Sequence, residues 1–119
     1  MEVGVDRDRL VAVLVAQLDE RELGGGVAYY AEGLLEEGES LDAPGLEARA
    51  PFASLLGFVD RAPTANWSHS CRYLLVSLES EEVLSIEAQL PPFGPADRRR
   101  WHVAYQAAAV PDAAIAVPR

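Results

Sequence analysis

The sequence has no lysine; all ten basic residues are arginine. It has a single cysteine, Cys71, so an internal disulfide is excluded and nothing reads as a stapled secreted scaffold. No apolar run is long enough to cross a bilayer, since the stretch 10–18 is about half the required length. The first residues carry neither a basic n-region nor a small-residue cleavage site, which predicts a soluble, cytoplasmic protein without a membrane partner. Histidine is also scarce, with only His69 and His102, and no ligand-spacing motif surrounds them. Gly24-Gly25-Gly26 lacks the preceding strand and the Lys-Ser/Thr pair of a phosphate loop, so it reads as a hinge. No metal and no cofactor is implied, and no repeat or low-complexity tract occurs.

What is present describes an ordinary globular chain. The 119 residues suit one domain over 1–119, and 50% apolar with 24% charged residues argues against global disorder. The abundance of Ala, Gly, Pro and Arg matches GC-rich bacterial coding. The net charge of -9 is segregated. Residues 1–47 hold twelve acids against three arginines, and the remainder holds seven of each. Such a field repels phosphate backbones, which excludes nucleic acid on that side and favours a basic protein partner. Acidic helices that merely keep the chain soluble are the plainer reading.

The organising stretch is 71–90. Leu84, Ile86, Ala88 and Leu90 alternate with Ser85, Glu87 and Gln89, the period of a half-buried strand. Before an acidic turn, Leu74, Leu75 and Val76 read as a central strand covered on both faces. Upstream, Asp6 or Asp8 caps a helix carrying Leu10, Val11, Leu14, Val15 and Leu18, with a strand as the competing reading because of its valines. Its apolar stripe runs almost all round, as in a buried or interface helix. A second helix is expected over 27–35, where Val27, Tyr30, Ala31, Leu34 and Leu35 fit the helical template and Gly38 stops it. Residues 39–51 connect, 52–59 form a buried strand, and Pro91-Pro92 ends the hairpin. The 98–109 segment fits a strand or a helix, with the strand favoured, and 113–117 reads as a short strand or an ordered extension. The expected fold is α+β: two N-terminal helices packed on an antiparallel sheet of about four strands.

Chemistry concentrates at 66–73. Trp67, His69 and Cys71 share one face if extended. A thiol beside an imidazole is the minimum for a cysteine nucleophile, which makes Cys71 and His69 the catalytic candidates. The alternative is Cys71 as a small buried hydrophobe. A zinc centre of His69, Cys71 and His102 requires the last strand to lie beside the first hairpin strand. Trp67, His69, Tyr73 and Trp101, with Phe93 and Tyr105, can line an aromatic pocket or serve as core. Arg98 and Arg100 beside Trp101 can grip an anion, form a solvated edge, or dock on the acidic helices of a second copy to make a homodimer. Two functions follow. One is a small acidic protein-interaction module (adaptor, chaperone-like or antitoxin-like) acting through the N-terminal helices and sheet face. The other is a small-molecule-binding or cysteine-dependent catalytic domain using the 67–73 corner.

Overall fold

In the computed structural model, which describes residues 5–65 and 68–117, two helices precede five strands and a final 3-10 turn. Helix α1 (Arg7–Ala16) starts where the Asp6 carboxylate accepts from the Arg9 N–H at 3.1 Å. Leu10 and Leu14 fall on one line of its surface and are buried, as is Leu18 just past its end. Helix α2 (Glu20–Gly25) opens with a reciprocal capping box between Asp19 and Glu22, each bond 2.9 Å. Gly26 ends it because the backbone is crowded there. A Cβ would stand 2.9 Å from the carbonyl oxygens of both Asp60 and Glu22.

Strand β1 (Val27–Ala31) follows at once, and this overturns the helix expected over 27–35. The helical spacing of Val27, Tyr30, Ala31, Leu34 and Leu35 is coincidental. Val27, Ala28 and Tyr29 are all buried because β1 is covered on both faces, which erases the period of two. Gly38 therefore stops no helix; it sits at φ 85° in a turn.

The remaining strands are β2 (Ser54–Asp60), β3 (Cys71–Ser77), β4 (Val83–Ala88) and β5 (Trp101–Gln106). They make one antiparallel sheet in the order β4-β3-β2-β1-β5, five strands where about four were expected. The hairpin expected within 71–90 and the favoured strand within 98–109 both form, but β4 ends at Ala88, and Leu84 and Leu90, expected on the core face, are exposed.

Strand register sorts the core into two layers. Ala28, Leu55, Val59, Leu74 and Val76 meet Leu10 and Leu14 of α1 and Leu18 just beyond it. Gly57 lies beneath the helix; a Cβ there would overlap the tip of Leu14 and lie 3.2 Å from its Cγ. The opposite layer holds Val27, Tyr29, Leu56, Phe58, Tyr73 and Leu75. It is roofed by Leu35, Leu41, Ala43 and Ala50 of the β1–β2 connection, and by Trp101, Ala107 and Val110. Phe93 stands edge-on to Tyr29, Phe58 and Trp101, with ring centroids 5.0 to 5.5 Å apart.

This roof also relocates the acidic surface. Glu36, Glu37, Glu39, Asp42 and Glu47 ride on the connection across the face opposite α1 rather than on helices. Both sheet faces are thus closed, and the inner side of α1 is consumed by the core. The tail forms a 3-10 turn (Asp112–Ala114) and then an extension held by the Ala116 N–H on the Tyr29 hydroxyl at 3.1 Å. Among the described residues no helix is long and apolar enough to cross a membrane.

Candidate functional site

The described part of this corner, 68–73, is a junction of core and ion pairs. Cys71 is 0% exposed on β3, opposite Asp60 of β2, with its Sγ 3.7 Å from the Leu90 carbonyl. Burial pushes its thiol up to about 11, and the Asp60 charge adds to the rise. A nucleophilic cysteine needs the opposite shift. The His69 Nε2 lies 2.8 Å from Asp60 Oδ1, which also accepts from the Ala62 N–H at 3.0 Å. Tyr73 is fully buried against Phe58 and donates its hydroxyl to the Leu90 carbonyl at 3.0 Å. It is a core residue and lines neither of the two cavities described below. Trp67 lies outside the described residues.

A zinc centre from His69, Cys71 and His102 is ruled out by topology. Cys71 and His102 belong to β3 and β5, three strand spacings apart, roughly 14 Å. Register also puts them on opposite faces, Cys71 with Phe58 and Tyr73, His102 with Tyr30.

Beside this corner lies an ion-pair network that the motif reading missed. The Glu22 side chain is 0% exposed. Arg72 reaches it from β3 at 2.7 and 2.8 Å, and Arg61 at 2.9 Å. Arg61 continues to Glu87 of β4 at 2.6 and 3.0 Å and to the Ser70 hydroxyl at 2.6 Å. Arg72 also donates to Ser85 Oγ and to the Gln17 carbonyl. Burial alone would raise the Glu22 carboxyl. Hydrogen bonds from Arg72, the Asp19 N–H and Arg61 outweigh it and hold the group below its ordinary range. Every strong donor is matched, so this cluster fastens α2, β3 and β4 together. The signals were the Asp19-x-x-Glu22 spacing and an arginine inside an otherwise apolar strand.

Two features remain open. The first is the β4 edge. Ser77 N donates to Glu82 O at 2.8 Å, so 77 and 82 are a hydrogen-bonded pair. Alternation along the ladder then turns the N–H and C=O of Val83, Ser85 and Glu87 away from β3. Among the described residues nothing caps them. Leu84 on this strand is 38% exposed and Leu90 just beyond it 37%. The other edge, β5, carries a bulge opposite Ala28 and Tyr29, which blunts pairing.

The second feature is a cleft beside the arginine run. Asp97 organises it: its carboxylate accepts from Trp101 Nε1 at 2.8 Å and from the Arg99 N–H at 3.2 Å. Arg99 points inward and donates to the Leu41 carbonyl, while Arg98 and Arg100 stay exposed. An open groove of about 1090 Å³ runs between this segment and the 39–44 turn. A smaller cavity of about 500 Å³ adjoins it at Gly94, Asp97, Arg99 and Arg100 and is lined by Phe93, Trp101, His102 and Val117. Of the sequence candidates, Trp101, Arg98 and Arg100 therefore meet at cavities, whereas His69 and Tyr73 do not join them.

Comparison with protein-family models, with curated proteins and with solved structures finds no match to this chain.

Proposed function

We propose that the protein is a non-catalytic protein-interaction module that adds an extended, basic segment of a partner protein to its β4 edge. The carrying observation is the row of outward N–H and C=O groups on Val83, Ser85 and Glu87 beside exposed Leu84. Strand addition takes its affinity from such backbone groups and its selectivity from alternate side chains. The basic character follows from exposed Glu79 and Glu82 at one end of the edge, within a chain of net charge -9. The surface differs from the helices and sheet face that the charge segregation pointed to; both sheet faces and the inner side of α1 are occupied by the core.

The test is amide hydrogen exchange on the full chain with a synthetic heptapeptide alternating lysine with valine. Slowed exchange at Val83, Ser85 and Glu87, lost at Val83 and Glu87 in Ser85→Pro and absent with a glutamate-valine peptide, is the expected result. A proline at 85 removes an outward N–H and leaves the β3 ladder in place. Unchanged exchange at those three amides overturns the proposal. So does protection that rises with protein concentration in the absence of peptide, since that result assigns the edge to a second copy.

A further inference from the structure

The cleft is independent of the β4 edge and lies beyond β5, at the other side of the sheet. It is lined by charges of both signs. The arginine run supplies Arg98 and Arg100, with Arg7, Glu32 and Asp97 also in the lining, and the facing turn supplies Glu39 and Asp42. Arg98 has no hydrogen bond or ion pair among the described residues. Arg100 is only loosely engaged, its Nε 3.9 Å from the Glu32 carboxylate, which His102 already holds at 2.9 Å. Glu39 uses one oxygen on the Glu36 N–H at 2.9 Å, and Asp42 one on the Ser40 hydroxyl at 3.1 Å. Each keeps its second oxygen unbonded among the described residues. The cavity adjoining the arginines offers the aromatic rings of Phe93 and Trp101.

We propose that this cleft binds a small zwitterion, an amino acid or short peptide with an apolar side chain. Arg98 and Arg100 take the carboxylate, a match guanidinium groups make with directed, charge-assisted bonds. Asp42 and Glu39 take the ammonium group. The apolar side chain enters the cavity against Phe93 and Trp101, where burial of carbon surface adds affinity. A neutral dipolar ligand also escapes the repulsion that a chain of net charge -9 exerts on a simple anion. The frame is rigid where it must be. Asp97 fixes the loop through Trp101 and the Arg99 N–H, and Arg99 ties it to the carbonyl of Leu41 in the facing segment.

The experiment is a titration of the isotope-labelled full chain with L-phenylalanine, followed by amide and indole resonances. N-acetyl-L-phenylalanine, lacking the cation, and L-phenylalanine amide, lacking the carboxylate, serve as controls. Saturable shifts confined to residues 39–44 and 94–102, including the Trp101 indole, are expected. Each blocked form should bind at least about tenfold more weakly, because a lost charge-assisted bond is worth about a decade in affinity. Arg98→Ala and Asp42→Asn, both at exposed positions, should weaken binding similarly with unchanged melting temperature. No saturable shift up to the solubility limit overturns the proposal. Equal affinity for the N-acetyl form, or shifts centred on β4, overturns it as well. Failure of the β4 test leaves these readouts untouched.

Discussion

Arg72 grips Glu22 through two parallel hydrogen bonds, 2.7 and 2.8 Å long, across 50 residues of sequence. The carboxylate is wholly closed to solvent and the guanidinium nearly so, at 12% exposure. Such a pair is costly to desolvate, and its net worth against apolar residues is small. Its removal on one side is another matter. Glu22→Ala leaves Arg72 and Arg61 partly buried without their shared counter-charge. A loss of about 3–5 kcal/mol is expected, read from urea midpoints. The triple change Glu22→Leu, Arg61→Met, Arg72→Met should cost clearly less than Glu22→Ala alone. Equal losses would show that the charges are not coupled.

The same network sets the acid limit. Glu22 and Glu87 are both held below their ordinary value of 4.5, Glu87 chiefly by its hydrogen bonds from Arg61. A carboxyl with a depressed folded pKa binds fewer protons folded than unfolded. Its contribution is therefore complete above about pH 4.5 and disappears as pH falls through the folded value. Urea midpoints between pH 7 and pH 3 should fall steeply below about pH 4.5. Glu22→Gln should lower stability at pH 7 and flatten that acid slope. A parallel curve for the variant would contradict the assignment.

Gly57 shows how closely α1 approaches β2. Any Cβ there overlaps the tip of Leu14, which is itself 0% exposed and has nowhere to retreat. Gly57→Ala should destabilise by about 1–3 kcal/mol through overpacking. Leu14→Ala alone should cost about 2–5 kcal/mol, by leaving a cavity. The double variant should be more stable than the sum of the two losses, since the new methyl enters the space the leucine vacates. Strict additivity by thermal or urea unfolding would place the two residues apart.

These elements also mark what could be read in advance. The 71–90 hairpin was legible because β4 is an edge strand, wetted on one side, so its side chains alternate. Strand β1 was not, since it is covered by α1 below and by the 35–50 connection above. Burial on both faces removes the alternation and leaves spacing that mimics a helix at Val27, Tyr30 and Ala31. The Val-x-Tyr-Tyr composition was the remaining strand signal. At the candidate sites, Arg98, Arg100 and Trp101 were found because they are adjacent in sequence. Their acidic counterparts Glu39 and Asp42 were not, since about sixty residues of sequence separate them and tertiary contacts, the Arg99–Leu41 hydrogen bond and the packing of Leu41 and Ala43 in one core cluster with Trp101, bring the segments together. The attraction of 66–73 came from residue types alone. Geometry there pairs His69 with Asp60 and seals Cys71 under Leu90.

Cys71 supplies the last expectation. Its thiol, held near 11 by burial and the neighbouring Asp60, stays protonated in the folded chain well above the ordinary value of 9.0. A raised folded pKa means the folded state keeps a proton that the unfolded chain surrenders. The stabilising contribution is full below about pH 9 and is lost as pH climbs toward about 11. Tyr29 and Tyr73, raised mainly by burial, steepen the same decline. At pH 8, an aromatic disulfide reagent should label native Cys71 no faster than the chain opens. In urea beyond the midpoint, one thiol per chain should react at the rate of a free cysteine. Cys71→Ala should flatten the decline above pH 9 while Tyr29 and Tyr73 keep a residual slope. Rapid labelling of the native chain, faster than measured unfolding, would mean that the β3–β4 corner opens independently of the rest of the sheet.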